Sequence, residues 1–350
     1  MMALKYMGIG DVRFGEVPVP IPGPGQVRLR VLACGVCHTD VAFRGNADLA
    51  LEPGLTLGHE IAGTVDMLGP GVPGPAPGTR CVVYTVWSCG DCRQCVAGRQ
   101  NACLGTGGRY TSPQGPGTRF DGGMAEYVVV PGSSLVPASG LSPADAAVLP
   151  DAALVPYHSI RGALDVLGPG SSALVIGIGG LGQYAVSILR AVTASRIIAV
   201  DVRDEALATV EGLAHHTINA SAPDLTARVL EAAGGLGPDF VLDMVGTDAT
   251  LALATSVVAV YGAIRVPGQG NGSFRFETIR TTTSIPRGVT INRPYSGTRQ
   301  DLADVVALAR SGDIGIPITT YPFGQALEAF DDLAAGQIRG RAVLLMDQPA

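Results

Sequence analysis

The chain has 350 residues, 47% of them hydrophobic and 15% charged, with a formal net charge of −6. That length suits two domains with separate cores, and the composition excludes a disordered chain. The acidic balance, without any basic run, argues against nucleic acid or an anionic membrane surface as a partner.

No uninterrupted apolar stretch approaches the roughly 20 residues of a membrane span. The first 16 residues carry Lys5, Asp11 and Arg13 and do not read as a signal peptide. All seven cysteines fall between Cys34 and Cys103, with none in the remaining two-thirds of the chain. A disulfide framework would spread its thiols through a small secreted domain; this clustering suits metal in a reducing, cytoplasmic compartment.

In chain order, short β-branched segments come first, at 26–32, 63–68, 80–86 and 126–130, among turns. Two stretches, 18–25 and 69–78, are dense in proline and glycine. This pattern predicts an all-β barrel or sandwich. After residue 171 the pattern changes to strand, glycine turn and helix, repeated. The apolar runs 173–176, 196–200, 240–244 and 263–266 read as parallel strands buried on both faces. Helices are predicted at 181–192, 204–213, 225–233 and 250–260, which makes a doubly wound parallel sheet. The tail is mixed: a helix near 299–310, another near 323–335 and a last strand at 342–346.

Four motifs carry chemistry. Cys89, Cys92, Cys95 and Cys103 are spaced so that four thiols on one loop turn onto one ion, the set a structural zinc takes. With every position filled by protein, such a site leaves no room for substrate. Gly177-Ile178-Gly179-Gly180-Leu181-Gly182 fits G-x-G-x-x-G, follows an apolar strand and opens a helix. There the glycines let backbone approach a pyrophosphate at a helix N-terminus. Asp201 closes the second strand, where an acid binds a ribose 2′-hydroxyl and repels a 2′-phosphate. This favours NAD over NADP, softened by Arg203. Val202, Val245 and Gly246 complete the expected cofactor set. Upstream, Cys37-His38-Thr39-Asp40 and Gly58-His59-Glu60 offer Cys37 and His59 as ligands of a catalytic zinc, which needs three protein ligands and one open position. Singly, each also reads as an ordinary buried cysteine or a satisfied core histidine.

The four motifs, in this order and at these spacings over essentially the whole length, resemble the medium-chain, zinc-dependent alcohol dehydrogenases. The resemblance implies a GroES-like β-barrel catalytic domain, 1–152 and 291–350, around a Rossmann domain, 153–290. It implies two zinc ions per chain and hydride exchange between NAD(H) and an alcohol or carbonyl compound. Asp151 stands where the family places its third zinc ligand, often a cysteine, as in bacterial secondary-alcohol dehydrogenases that are similar in using aspartate. Glu60 is its competitor and ranks below it. Asp40 would orient His59, Thr39 would bind the substrate oxygen and pass its proton onward, and His38 would serve the pyrophosphate or the relay. Arg341 would bind cofactor phosphates, with a surface salt bridge as its other reading. Ala42 replaces a family histidine that ends the relay.

Phe43, Trp87, Phe120 and Tyr295 are candidate pocket walls, each also readable as core. Small Ser296 would suit a roomy pocket for bulky or secondary alcohols. A homo-oligomer, tetramer or dimer, would pair near 290–292. Two rival readings remain: a reductase of the same fold acting on a biosynthetic aldehyde, iminium or conjugated double bond, and a non-catalytic zinc-binding structural protein.

Overall fold

The computed structural model describes residues 1–278 and 284–347. The chain divides into two compact units. The first is Met1–Leu154, Ser296–Gly312 and Pro317–Ala350; the second is Val155–Tyr295 and Asp313–Ile316.

The first unit is mostly β. Its strands are β1 (Met2–Gly8), β2 (Asp11–Glu16), β3 (Gln26–Val36), β4 (Leu55–Thr56), β5 (Glu60–Leu68), β6 (Arg80–Val83), β7 (Tyr127–Pro131) and β8 (Leu135–Pro137). β1 lies between β2 and β4 in a small antiparallel sheet. The N-terminal hairpin is not singled out by the sequence, because Lys5 and Arg13 interrupt its apolar alternation. The long strand β3 is the spine of the larger sheet and pairs with β5 and β7. Its inward residues Leu29 and Val31 meet Ile61, Val65, Val83, Leu135 and Phe330 in one core. Each such buried side chain contributes about 1.5–3 kcal/mol. The two glycine- and proline-rich stretches are loops that brace one another, Gly25 N–H donating to Pro70 O at 3.2 Å.

The second unit holds β9 (Ser172–Ile176), β10 (Arg196–Asp201), β11 (His216–Asn219), β12 (Phe240–Asp243), β13 (Ala263–Arg265) and β14 (Thr290–Asn292). All pairings are parallel, in the order β11-β10-β9-β12-β13-β14. That is the doubly wound dinucleotide-fold order, with the switch point at β9. All five residues of β9 are buried, as its unbroken apolar run requires. β14 extends this sheet, so residues 291–295 cluster with the second unit rather than with the first, where the sequence places them. The helix expected at 204–213 ends at Ala208, before Gly212 takes a left-handed φ of 84°. The helix expected at 250–260 starts earlier, at Asp248, because Thr247 caps it: Thr250 N–H donates to Thr247 Oγ1 at 3.3 Å.

The tail returns to the first unit. β15 (Ile318–Pro322) lies parallel to β16 (Arg341–Leu345), and β16 pairs antiparallel with β3. The larger sheet therefore reads β15-β16-β3-β5-β6-β8, with β7 also on β3.

Candidate metal centres and cofactor turn

The strand ends of the first unit bring the ligand candidates together. β3 ends at Val36, and Cys37 is the N-cap of the helix His38–Gly45. His59 immediately precedes β5 and Glu60 opens it. Asp151 lies in a π-helical turn, Leu149–Ala153, between the helices Pro143–Val148 and Leu154–Arg161. Such turns interrupt α-helices mostly at functional sites. One ligand atom from each of Cys37, His59, Glu60 and Asp151 lies within 4.8 Å of the other three.

Cys37 Sγ is 3.5 Å from Asp151 Oδ2, and His59 Nε2 is 3.9 Å from the same oxygen. Ligand bonds of about 2.0–2.3 Å in tetrahedral geometry put donor atoms roughly 3.3–3.8 Å apart, so the first separation falls in that range and the second just beyond it. His59 Nδ1 faces Asp40 Oδ1 at 3.5 Å, and Asp40 Oδ2 accepts from Cys37 N–H at 2.9 Å. Fully buried Asp40 thus holds the turn that carries the cysteine and sets its charge beside the histidine ring, without a hydrogen bond between Oδ1 and Nδ1. Burial alone would lower the His59 pKa, but the charge of Asp40 and bonds from Asp151, Asp40 and Cys37 hold it well above its usual value. The nest therefore favours a cation, and a divalent metal supplies that charge without the proton. Glu60 contributes a carboxylate oxygen to the same group, and its Oε2 is buried without a hydrogen-bond partner.

Cys34 and Cys81 belong to neither metal-ligand group. Burial pushes the Cys81 thiol up to about 11 and raises Cys34 further.

Thr39 and His38 are exposed, with Thr39 Oγ1 3.6 Å from Cys37 Sγ. Arg341 is 3% exposed, and its Nη2 ion-pairs with Glu60 Oε1 and lies 3.8 Å from Asp151 Oδ2. This is a buried ion pair rather than a surface salt bridge. Phe43 is packed into the core. Trp87 stacks on half-exposed Phe120 with ring centroids 4.8 Å apart. The loop carrying Phe120 lies close to the backbone beside His59: a Cβ on Gly117 would come within 2.7 Å of Gly58. Ser296 Oγ is 3.4 Å from Thr85 Oγ1, and Tyr295 belongs to the second unit.

The second cluster is the cysteine lobe. Neighbouring Sγ atoms of Cys89, Cys92, Cys95 and Cys103 are 3.4–3.9 Å apart, and no disulfide joins them. Zn–S bonds of about 2.3 Å in a tetrahedron require sulfur separations of roughly 3.8 Å. Leu104 N–H donates to Cys92 Sγ at 3.4 Å, and Cys89 N–H to Cys103 Sγ at 3.3 Å. The first bond pulls the Cys92 thiol down to about 7. For Cys103, burial pushes up, but bonds from Cys89 and Thr106 outweigh it and lower the thiol to about 6. Burial pushes the Cys95 thiol the other way, up to about 12, so Cys92 and Cys103 are the two poised as thiolates.

In the second unit the glycine turn links β9 to the helix Gly180–Val192. Gly177 has a φ of 87°, and a Cβ on Gly182 would strike Gly177 O. No side chain caps the helix at Gly179, so its first N–H groups are open to an anion. Asp201 Oδ2 accepts from Ile178 N–H at 2.6 Å, and its Oδ1 accepts from Arg203 N–H at 2.9 Å. The acid ending β10 thereby braces the turn. Arg203 Nε is 3.7 Å from Asp201, and Val202 beside them is 67% exposed. On the other side of β9, Asp243 Oδ1 accepts from Val245 and Gly246 N–H, both at 2.9 Å. The sequence reading passes over Asp243; its signal was an acid closing an apolar strand three residues before a glycine.

Comparison with known proteins agrees with this geometry. Residues 23–140 match the model of the alcohol dehydrogenase GroES-like domain, and 180–311 that of the zinc-binding dehydrogenase. The chain is 33% identical to an NAD-dependent alcohol dehydrogenase of Sulfurisphaera tokodaii, over 99% of this chain and 100% of that one. The solved alcohol dehydrogenase of Aeropyrum pernix superposes with a TM-score of 0.88 at 29% identity, over 99% and 100% of the two chains. The acetophenone reductase of Geotrichum candidum, solved with NAD, gives 0.84 at 29% identity, over 98% and 96%. The fold is that of this group, and the chain belongs to the medium-chain, zinc-dependent alcohol dehydrogenase family.

Proposed function

We propose that this protein is an NAD-dependent alcohol dehydrogenase that interconverts alcohols and their ketones or aldehydes, with a preference for secondary or bulky substrates. The observation that carries the reading is the convergence of Cys37, His59 and Asp151 at ligand distances with the Thr39 hydroxyl beside them. When bound, zinc polarises the substrate oxygen and lowers the alcohol's pKa, and the nicotinamide carries the hydride.

The chain's residues do the rest. Cys37, His59 and Asp151 hold the metal and leave one position open. Asp40 fixes the His59 ring. Thr39 Oγ1 takes the hydroxyl proton and hands it on. With Ala42 unable to extend a relay, exposed His38 or water receives it. The uncapped helix start after Gly179 holds the pyrophosphate, and Asp201 with Val202 and Arg203 receives the adenosine ribose. The stacked Trp87 and Phe120 form an apolar wall suited to bulky groups. The acetophenone reductase named among the relatives supports a ketone of that kind.

The cysteine lobe takes the second zinc. A homo-oligomer pairing through β14, the unpaired edge of its sheet, and a cytoplasmic location complete the proposal.

The test is a panel of primary alcohols, secondary alcohols, their carbonyls and enones, with NAD and NADP. Turnover of enones alone would instead favour the double-bond reductase. Thr39→Ala should lower kcat by roughly 10²–10⁴-fold, the range of general acid–base catalysis, while Thr39→Ser retains most of it. Equal kcat in Thr39→Ala would remove the proton-transfer role. Asp201→Asn keeps the shape but loses the charge, so the NADP/NAD ratio of kcat/KM should rise about tenfold, a difference of about 1.4 kcal/mol. An unchanged ratio would refute that role for Asp201.

A further inference from the structure

The loop that carries Phe120 meets the backbone ahead of His59 through glycines. A Cβ on Gly122 would strike Gly58 O, and one on Gly123 would come within 2.5 Å of Ile61 Cγ1. The loop can therefore lie directly on residues 56–58. Gly122 N–H donates to Thr56 O, Met124 N–H to Leu57 O and Gly123 N–H to Gly58 O, each at 2.9 Å. These bonds begin only after residue 121. Phe120 turns its own N–H back to Gly115 O at 3.3 Å, and its carbonyl accepts from Gly117 N–H at 2.7 Å, both inside the loop. The tie nearest to Phe120 is the side chain that follows it. Asp121 Oδ1 accepts from Thr56 N–H at 2.8 Å and from Lys5 Nζ at 3.2 Å. Lys5 Nζ also donates to Thr56 Oγ1 at 2.9 Å, because the two residues stand opposite one another where β1 pairs with β4. Burial pushes the Asp121 carboxyl up, but the bonds from Thr56 and Lys5 outweigh it and hold it below its usual range. The acceptor is thus a carboxylate, and both its bonds are charge-assisted.

We infer that Asp121 is a positioning residue for substrate size: with Lys5 and Thr56 it pins the loop so that Phe120 stays stacked on Trp87, and that pair sets the preference for bulky over small alcohols. The inference rests on reading Trp87 and Phe120 as a wall of the pocket. Their ring centroids are 4.8 Å apart and the planes 25° apart, a stacked pair. Trp87 is fixed independently: its N–H donates to Gln114 O at 2.9 Å, and its ring packs against the core of the first unit. Phe120 is 43% exposed, so its own burial contributes little to holding it in place. Asp121 belongs to neither metal-ligand group. Losing it should change which substrates fit and leave the chemistry on small ones intact.

Trp87 is the one tryptophan of the chain, so the fluorescence of the full-length protein reports on the stacked pair directly. In Asp121→Ala the emission should shift to longer wavelength and be quenched more by acrylamide. With zinc and NAD supplied, the KM for 1-phenylethanol should rise at least about tenfold, the low end of what an apolar pocket contact discriminates, while kcat and KM for propan-2-ol stay within about twofold. Lys5→Met removes the cation from the other side of the clasp and should move emission and KM the same way, even if Asp121→Ala fails to fold. Phe120→Ala should raise the KM for 1-phenylethanol by the same factor, and adding Asp121→Ala to it should raise it no further. Wild-type emission and selectivity in Asp121→Ala or in Lys5→Met overturn the proposal. So do equal losses on both alcohols, or additive effects in the double variant. An unchanged substrate ratio in Phe120→Ala would instead overturn the pocket-wall reading itself.

Discussion

Asp151→Ala should leave the protein folded and nearly inactive, with kcat/KM down by at least about 10³-fold. A catalytic metal supplies several kcal/mol of transition-state stabilisation, and each 1.36 kcal/mol is a factor of ten. The substitution removes the oxygen that faces both Cys37 Sγ and His59 Nε2. Cys37 and His59 then remain, and the one other carboxylate of the group, Glu60, is ion-paired with Arg341. Metal analysis should find the site depleted while the cysteine lobe stays filled. Asp151→Cys restores one negative charge with a softer donor and should keep the metal. Full occupancy and full turnover in Asp151→Ala would mean that Glu60 is the resident ligand.

Cys95→Ser should have the largest effect on stability. Cys95 is buried at the centre of the lobe, 3.6 Å from Cys92 Sγ and 3.9 Å from Cys89 Sγ. Structural zinc is held with roughly 10–16 kcal/mol in small zinc-finger peptides. Losing even a third of that would lower the melting temperature by roughly 10 °C. Zinc content should fall by one ion per chain, whereas the kcat of molecules that remain folded should change little. An unaltered melting curve together with unaltered zinc content would show that the four thiols are not a structural site.

Much of this site was legible in the sequence because its signals are local. The four cysteines sit within one short loop, and the glycine turn is contiguous with its strand and helix. Backbone geometry alone then brings their groups together. Cys37 and His59 were legible because each adjoins a strand end. What the sequence could not show is contact between distant strands. Arg341 resembles a phosphate ligand when read along the chain; its ion pair with Glu60 follows only from the register of β16 on β3. Gly35 looks like one glycine among 48, and the space it leaves for the Glu60 side chain is visible only once Glu60 is laid opposite it. Asp151 was legible by position, but the π-turn that presents it was not, since Pro150 and its neighbours carry no periodicity that distinguishes a π-turn from a helix end.

The two candidate metal sites also differ in how much chain each must close. Cys89 and Cys103 are 14 residues apart, Cys37 and Asp151 are 114 apart, and Glu60 and Arg341 are 281 apart. Loop-closure entropy grows with the logarithm of length, so the last closure costs roughly 3 kcal/mol more than the first. The lobe can therefore gather its ion while most of the polypeptide is still unfolded, or still being synthesised. The catalytic centre cannot form so early. Its thiolate and imidazole emerge first, its carboxylate much later, and the arginine that restrains Glu60 arrives only at residue 341 of 350. Until then Glu60 lacks the ion pair it makes in the finished protein.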